Sequence, residues 1–264
     1  MNCPLCGNRG QEIFKGILLT KHSVQYFQCH HCGLVFTETP YWLEESYKDS
    51  ISCVDTGIMS RNIRNVYYTN VVVDRFFNRG GVFLDYGGGF GVFTRMMRDI
   101  GYNWMWMDKY APNLLARGFE YQNGEECELV TAFELFEHFV EPGKEVEALF
   151  KLSDNILFST LLYDKELSYK GFSEWWYYVP EAGQHIAFYS EKTCRYIAAD
   201  YGVNYYCLCD DLHLFTKKSL SSKFIKILFN NRYKWFIQNY FYHKNMKYSK
   251  SVADMEKMIR TVRM

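Results

Sequence analysis

Asp85 and Asp108 stand 23 residues apart, and between them runs Asp85-Tyr-Gly87-Gly-Gly89-Phe-Gly91. Alternate glycines let a backbone take positive φ and approach a bound molecule where a Cβ would collide. The apolar-periodic residues behind them (Phe93, Met96, Met97, Ile100) predict a helix closed by Gly101, with unpaired N–H groups and a positive dipole end at its start. The two acids fall near the ~20-residue spacing at which a carboxylate in a βαβ unit receives two ribose hydroxyls. A nucleoside-bearing ligand suits this constellation. A dinucleotide pattern beginning at Gly87 would need Gly or Ala at 92, where the chain has Val92.

A second constellation is Cys3-Pro-Leu-Cys6-Gly and Cys29-His-His-Cys32-Gly, with 22 residues between the pairs. Two such knuckles complete a tetrahedral four-sulfur site, which suits a structural zinc with no position left open for substrate. His30 and His31 read as exposed knuckle residues rather than ligands. A redox dithiol normally appears once, on a βαβ unit. The other five cysteines of the nine are an odd remainder, which points to reduced thiols.

These groups need elements to hold them. Val82 to Leu84 and Tyr102 to Met107 read as strands that stop at the two acids, with a helix over Ile58–Phe77 before them and another over Tyr110–Arg117 after. Glu128 to Phe133 reads as the fourth strand, and its carboxyl end meets Glu134, Glu137 and His138. Ligands in open α/β sheets bind outside the carboxyl ends of strands, so Glu137 and His138 either take part in catalysis or orient a loop. A helix from Pro142, a strand over Asn155 to Thr160, a helix over Glu191 to Tyr201 capped by Ser190, and a hairpin of Val203 to Cys209 with Leu212 to Thr216 complete the α/β reading.

At Asp85, the glycines, Asp108 and the run Ala132-Phe133-Glu134-Leu135-Phe136-Glu137-His138, the chain resembles the class I S-adenosylmethionine-dependent methyltransferases. The resemblance implies a Rossmann-like α/β sheet with helices on both faces. It also implies a cofactor site at Asp85, Gly87, Gly89, Gly91, Asp108, Phe133 and Glu134. The zinc ribbon, Phe-Glu-His, the Trp175-Trp176 pair and Gly183-Gln184-His185-Ile186 resemble methyltransferases of bacterial sugar and polysaccharide pathways. O-methylation of a saccharide is the expected activity, with His185, or the Glu137/His138 pair, removing the acceptor proton. The alternatives are an RNA methyltransferase or a non-catalytic zinc-ribbon binding module on the same scaffold; Ala-Phe-Glu-Leu after the strand departs from the Asn-Pro-Pro-Tyr type that acts on base amines.

The expected organisation is a zinc ribbon at 1–39, a connector at 40–61, the methyltransferase domain at 62–217 and a basic aromatic helical tail at 218–264. The aromatic segment Leu161 to His185 (Tyr163, Tyr169, Phe172, Trp175 to Tyr178) suits either a sugar-binding surface or a lid over the core. Formal net charge is zero, yet from Lys217 onward twelve Lys and Arg face two acids. That tail suits a phosphorylated, nucleotide-linked or lipid-linked substrate, acidic lipid headgroups or RNA, or a helical appendage docked on the core or on a second copy as a homodimer. Its last helix has Ser251 as the expected cap. No stretch reaches the ~20 apolar residues of a membrane span, so a cytoplasmic protein is expected.

Overall fold

The computed structural model describes residues 1–48, 55–122, 124–163 and 174–263. In chain order its strands are β1 (Gln11–Leu18), β2 (His22–Gln28), β3 (Val35–Thr37), β4 (Val82–Tyr86), β5 (Asn103–Met107), β6 (Leu129–Ala132), β7 (Ile156–Ser159), β8 (Ala187–Phe188), β9 (Asn204–Cys209) and β10 (Leu212–Thr216). The helices are α1 (Leu43–Ser46), α2 (Ile58–Phe76), α3 (Val92–Asp99), α4 (Pro142–Leu152), α5 (Glu191–Asp200), α6 (Ser222–Leu228), α7 (Lys234–Met246) and α8 (Ser251–Val262). The chain is an α/β protein with a mixed sheet. Two compact units are formed, one from Met1–Asp55, Phe133–Lys151 and Phe158–Lys218, the other from Thr56–Ala132, Leu152–Leu157 and Ser219–Met264. Both are discontinuous, where the sequence suggests consecutive domains, because sheet neighbours are recruited from distant stretches.

In the second unit β4 lies between β5 and β6, parallel to both, with Asp85 opposite Trp106 on one side and Thr131 on the other. The strand order is β5-β4-β6-β7. Phe83 and Trp104 stack at 4.7 Å across β4 and β5, both buried, as a covered parallel sheet requires. The expected helix over Tyr110–Arg117 does not form. Asp108 accepts from the Tyr110 and Ala111 N–H groups at 2.7 Å as a helix cap would, but the Leu114 and Leu115 N–H groups then donate to the Phe90 carbonyl at 3.2 and 3.0 Å, and that of Ala116 to Asn113 Oδ1 at 2.9 Å. A side-chain acceptor such as Asn113 offers the backbone an alternative to helical bonds.

The tail helices belong to this same unit. Arg98 of α3, nearly fully buried, forms a two-pronged pair with Asp254 of α8, both contacts at 2.7 Å. Asn245 of α7 donates to Asn70 Oδ1 at 2.6 Å, and Gly101 leaves room that a Cβ would lose against the Tyr248 backbone. Lys250, not Ser251, occupies the N-cap of α8, and Ser249 Oγ accepts from the Ser251 N–H at 3.3 Å.

In the first unit β1-β2-β3-β8 form an antiparallel sheet, and β7-β10-β9 lie in order with β9 and β10 as a hairpin. β1 pairs with β2 from His22 to Gln28, and β3 pairs Val35 with Phe188, so a strand from far along the chain closes this sheet. Ser190 caps α5 by accepting from the Thr193 N–H at 3.2 Å. The first unit's core takes in Trp42, Tyr163, Tyr177 and Tyr178, with Trp175 packed against it. The described part of the aromatic segment is therefore core rather than a binding surface, apart from Trp176, which is 73% exposed. Tyr169 and Phe172, like connector residues 49–54, lie outside the described residues.

Candidate functional site

The glycine turn between β4 and α3 is built by backbone. Gly87, Gly89 and Gly91 have φ of +75°, +53° and +83°, conformations that L side chains rarely adopt. Gly91 is the N-cap of α3. A Cβ at Gly89 would have no heavy atom within 4 Å, so the turn borders open space there. Gly88, which the alternate-glycine pattern passes over, is the tightest: its Cβ would lie 2.8 Å from both Asp85 Oδ2 and Trp106 Cδ1.

Asp85 is buried and its carboxylate is engaged internally, accepting from Thr94 Oγ1 at 3.0 Å and Thr131 Oγ1 at 3.1 Å. Burial pushes its carboxyl up to about 7, with the Asp108 charge adding to the rise and the Thr94 and Thr131 hydroxyls opposing it. Asp108 accepts from the Gly89 N–H at 2.9 Å as well as from Tyr110 and Ala111. Three of a carboxylate's roughly four lone-pair sites are thus used by its own loop. Trp106 Nε1 donates to Gly89 O at 2.8 Å. Asp85, the three glycines and Asp108 are brought together in the second unit. Thr94, Thr131, Gly88 and Trp106 join them; Gly88 was legible as the middle of the Gly triplet, whereas the two threonines carry no local signal.

The remaining expected site residues lie in the first unit. Phe133 is half-buried. Glu134 sits at φ +49°, a conformation costly without glycine, and is tied down by Ser159, whose Oγ accepts from the Glu134 N–H at 2.8 Å and donates to its Oε1 at 2.6 Å. Just beyond, Glu137 and His138 fall in a 3-10 turn (Phe136–His138).

His185 is brought to this turn. A carboxylate oxygen of Glu137 and one ring nitrogen from each of His138 and His185 lie within 4.8 Å of one another. His138 Nδ1 contacts the Gln184 carbonyl at 3.1 Å and the Tyr47 hydroxyl at 2.9 Å, and His185 Nδ1 contacts the Tyr177 carbonyl at 2.6 Å. A carbonyl only accepts, so each Nδ1 carries a proton and donates it to its carbonyl. Burial, with the His185 charge second, holds His138 down at about 3, so it is neutral at ordinary pH. Glu137 is fully buried and, among the described residues, neither carboxylate oxygen has a hydrogen-bond partner. The Tyr177 and Tyr189 hydroxyls are held well above the phenolic range, first by burial and then by the Glu137 charge. The cluster sets two Nδ1-anchored imidazoles beside a buried carboxylate, an arrangement able to accept a proton. Tyr47, Tyr177 and Gln184 escaped the sequence reading because their contacts arise only on folding.

The four knuckle cysteines also converge in the first unit. Cys3 and Cys32 sulfurs are 3.6 Å apart, Cys6 and Cys29 3.4 Å, and all four lie within 4.8 Å of one another. A tetrahedron with Zn–S of about 2.3 Å has sulfurs about 3.8 Å apart, so the thiols fit a zinc ion with slight expansion. The contact splits the Cys3/Cys32 pair: Cys32 holds the Cys3 thiol down, and Cys3 with burial pushes Cys32 up. His30 and His31 are exposed, and His30 Nε2 pairs with Gln11 at 2.8 Å.

Comparison with known proteins gives the family. No curated protein sequence matches the chain. Among solved structures, an O-methyltransferase family 2 protein from Planctomyces limnophilus in complex with apigenin aligns at 15% identity over 61% of this chain and 60% of that one, TM-score 0.45. The magnesium protoporphyrin IX methyltransferase from Synechocystis with bound SAH aligns at 17% identity over 66% of this chain and 90% of that one, TM-score 0.43. An O-methyltransferase family protein from Burkholderia thailandensis aligns at 15% identity over 70% and 65%, TM-score 0.44. The chain thus spans less than two thirds of the length of the first and third of these. The family profile described as "Methyltransferase domain" matches residues 72–208, just over half the chain. The glycine turn and the acid after β5 fall inside that match, and the chain belongs to the methyltransferase-domain family, a family of methyl-transferring enzymes.

Proposed function

We propose that this protein transfers a methyl group from S-adenosylmethionine to a hydroxyl oxygen of a small polar acceptor, a saccharide carried on a nucleotide or lipid. The observation that carries the reading is the meeting of Nδ1-anchored His138 and His185 with the buried Glu137 carboxylate. A base with a lone pair fixed in direction is what a hydroxyl acceptor needs. When bound, S-adenosylmethionine supplies an electrophilic methyl on a sulfonium. Gly87, Gly89 and Gly91 offer it close-packed backbone, Asp108 its remaining acceptor site for a ribose hydroxyl, and Asp85 holds the turn through Thr94 and Thr131. His185 Nε2 is the group that would take the acceptor's hydroxyl proton, the cofactor's sulfonium giving up its methyl and leaving as the thioether. Glu137 and His138 support the resulting positive charge. The four cysteines hold a structural zinc, as their spacing fits.

Calorimetric titration of the zinc-loaded protein with S-adenosylmethionine and S-adenosylhomocysteine, followed by methylation assays on nucleotide sugars and on RNA, tests this. Binding together with turnover on a sugar is expected. His185→Gln should lower kcat by about 100-fold or more while leaving cofactor affinity within a few-fold. Absence of cofactor binding in the folded protein overturns the enzyme reading, and methylation of RNA instead of sugars overturns the acceptor assignment.

A further inference from the structure

The tail contains an exposed surface that methyl transfer does not account for. Helices α6 and α7 bury one side through Ile225, Leu228 and Phe241, and Arg75 stacks over the Phe241 ring at 4.2 Å. Ile227, Tyr233, Trp235, Phe236 and Tyr240 stay outside that packing, with Ile227, Trp235 and Phe236 at 58%, 64% and 67% exposure. Folding buries none of these, and aromatic side chains this exposed on adjoining helices form the kind of patch that soluble surfaces rarely leave uncovered.

The charge around them is of one sign. Ser219 to Ala253 contains seven Lys and Arg and no Asp or Glu. Lys223, Lys226, Arg232 and Lys247 are exposed beside the aromatic residues. Asp74 of α2, which pairs with Lys244 at 3.3 Å, has a side chain only 6% exposed, so it contributes little negative surface.

We propose that the outer face of α6 and α7 docks on an anionic lipid bilayer surface, with Trp235, Phe236 and Ile227 entering the headgroup boundary and the lysines and arginines facing the acidic headgroups. Amphipathic rings prefer that boundary, and long cationic side chains keep their charge in the headgroup layer while their stems stay apolar. Charge complementarity selects this occupant. A two-fold contact with a second copy would set the same cations against themselves. A single-stranded nucleic acid is held by stacking faces, which Ile227 does not have.

Sedimentation of the full-length protein with vesicles tests it, using phosphatidylcholine alone and phosphatidylcholine with about 30% phosphatidylglycerol, at low and high salt. Partitioning at least about 10-fold stronger onto the anionic vesicles and weakened by salt is expected, with a blue shift of the Trp235 emission taken as the difference from Trp235→Phe. Trp235→Ser/Phe236→Ser and Lys223→Glu/Lys226→Glu should each reduce partitioning about 10-fold with an unchanged melting temperature, since these side chains are exposed. Equal or absent binding to the two vesicle types overturns the proposal, as does a Trp235→Ser/Phe236→Ser variant that partitions like the native chain. A homodimer dissociated by that variant, or binding to a single-stranded RNA oligomer in place of vesicles, overturns it too.

Discussion

The Asp108 carboxylate accepts the Gly89 backbone N–H at 2.9 Å, so the acid expected to hold a ribose also holds the glycine turn. Asp108→Ala should therefore cost both cofactor affinity, by about 10-fold or more, and stability, by about 1–2 kcal/mol, because three N–H groups lose an acceptor. Asp108→Asn keeps one carbonyl for the Tyr110 and Ala111 N–H groups and should lose less stability. Calorimetric titration beside chemical unfolding separates the two effects; an Asp108→Ala variant as stable as the native chain would remove the loop-holding role.

Neighbouring glycines should respond differently. At Gly88 an added Cβ would meet Asp85 Oδ2 and Trp106 Cδ1 at 2.8 Å, so Gly88→Ala is expected to destabilise by about 1–3 kcal/mol through overpacking. Gly89 has open space beside it and only its φ of +53° to pay, about 1 kcal/mol for Gly89→Ala. Urea unfolding of the two variants checks the ranking, and Gly89→Ala being the more damaging would contradict it.

Asp85 links stability to pH. Its carboxyl ionises at 3.8 in the ordinary case and at about 7 when folded, so between those values the folded state holds a proton that the unfolded chain has released. Stability due to this group is highest below about pH 4, falls as pH rises to about 7, and is flat above. Asp85→Asn, which resembles the protonated form, should gain on the native protein across that window, by up to about 4 kcal/mol. Unfolding measured from pH 4 to 8 should show the difference growing with pH; a constant difference would refute a raised carboxyl.

The cysteine cluster should carry one zinc per chain. Cys32→Ser, which removes a fully buried ligand, should abolish retained zinc and lower stability by several kcal/mol, since structural zinc binding is folding energy. Elemental analysis with thermal unfolding reports this, and a zinc-free native protein with an unchanged melting temperature would exclude a structural metal.

Local signals in the sequence determined much of the frame: apolar runs ending at Asp85 and Asp108, glycines at 87, 89 and 91, the knuckles, the Ser190 cap and the β9–β10 hairpin, because periodicity, positive φ and capping act over a few residues. The helix expected after Asp108 failed because the Leu114 and Leu115 N–H groups bond to the Phe90 carbonyl and that of Ala116 to Asn113, a balance that periodicity does not express. Only tertiary structure decided that Tyr163, Tyr177 and Tyr178 are core, that Thr94 and Thr131 hold Asp85, and that His185 meets Glu137 and His138. Apart from Thr94, nine positions from Asp85, each of these depends on residues tens of positions apart being packed together. Burial and hydrogen-bond partners belong to the fold as a whole, whereas turns and caps belong to the segment that forms them.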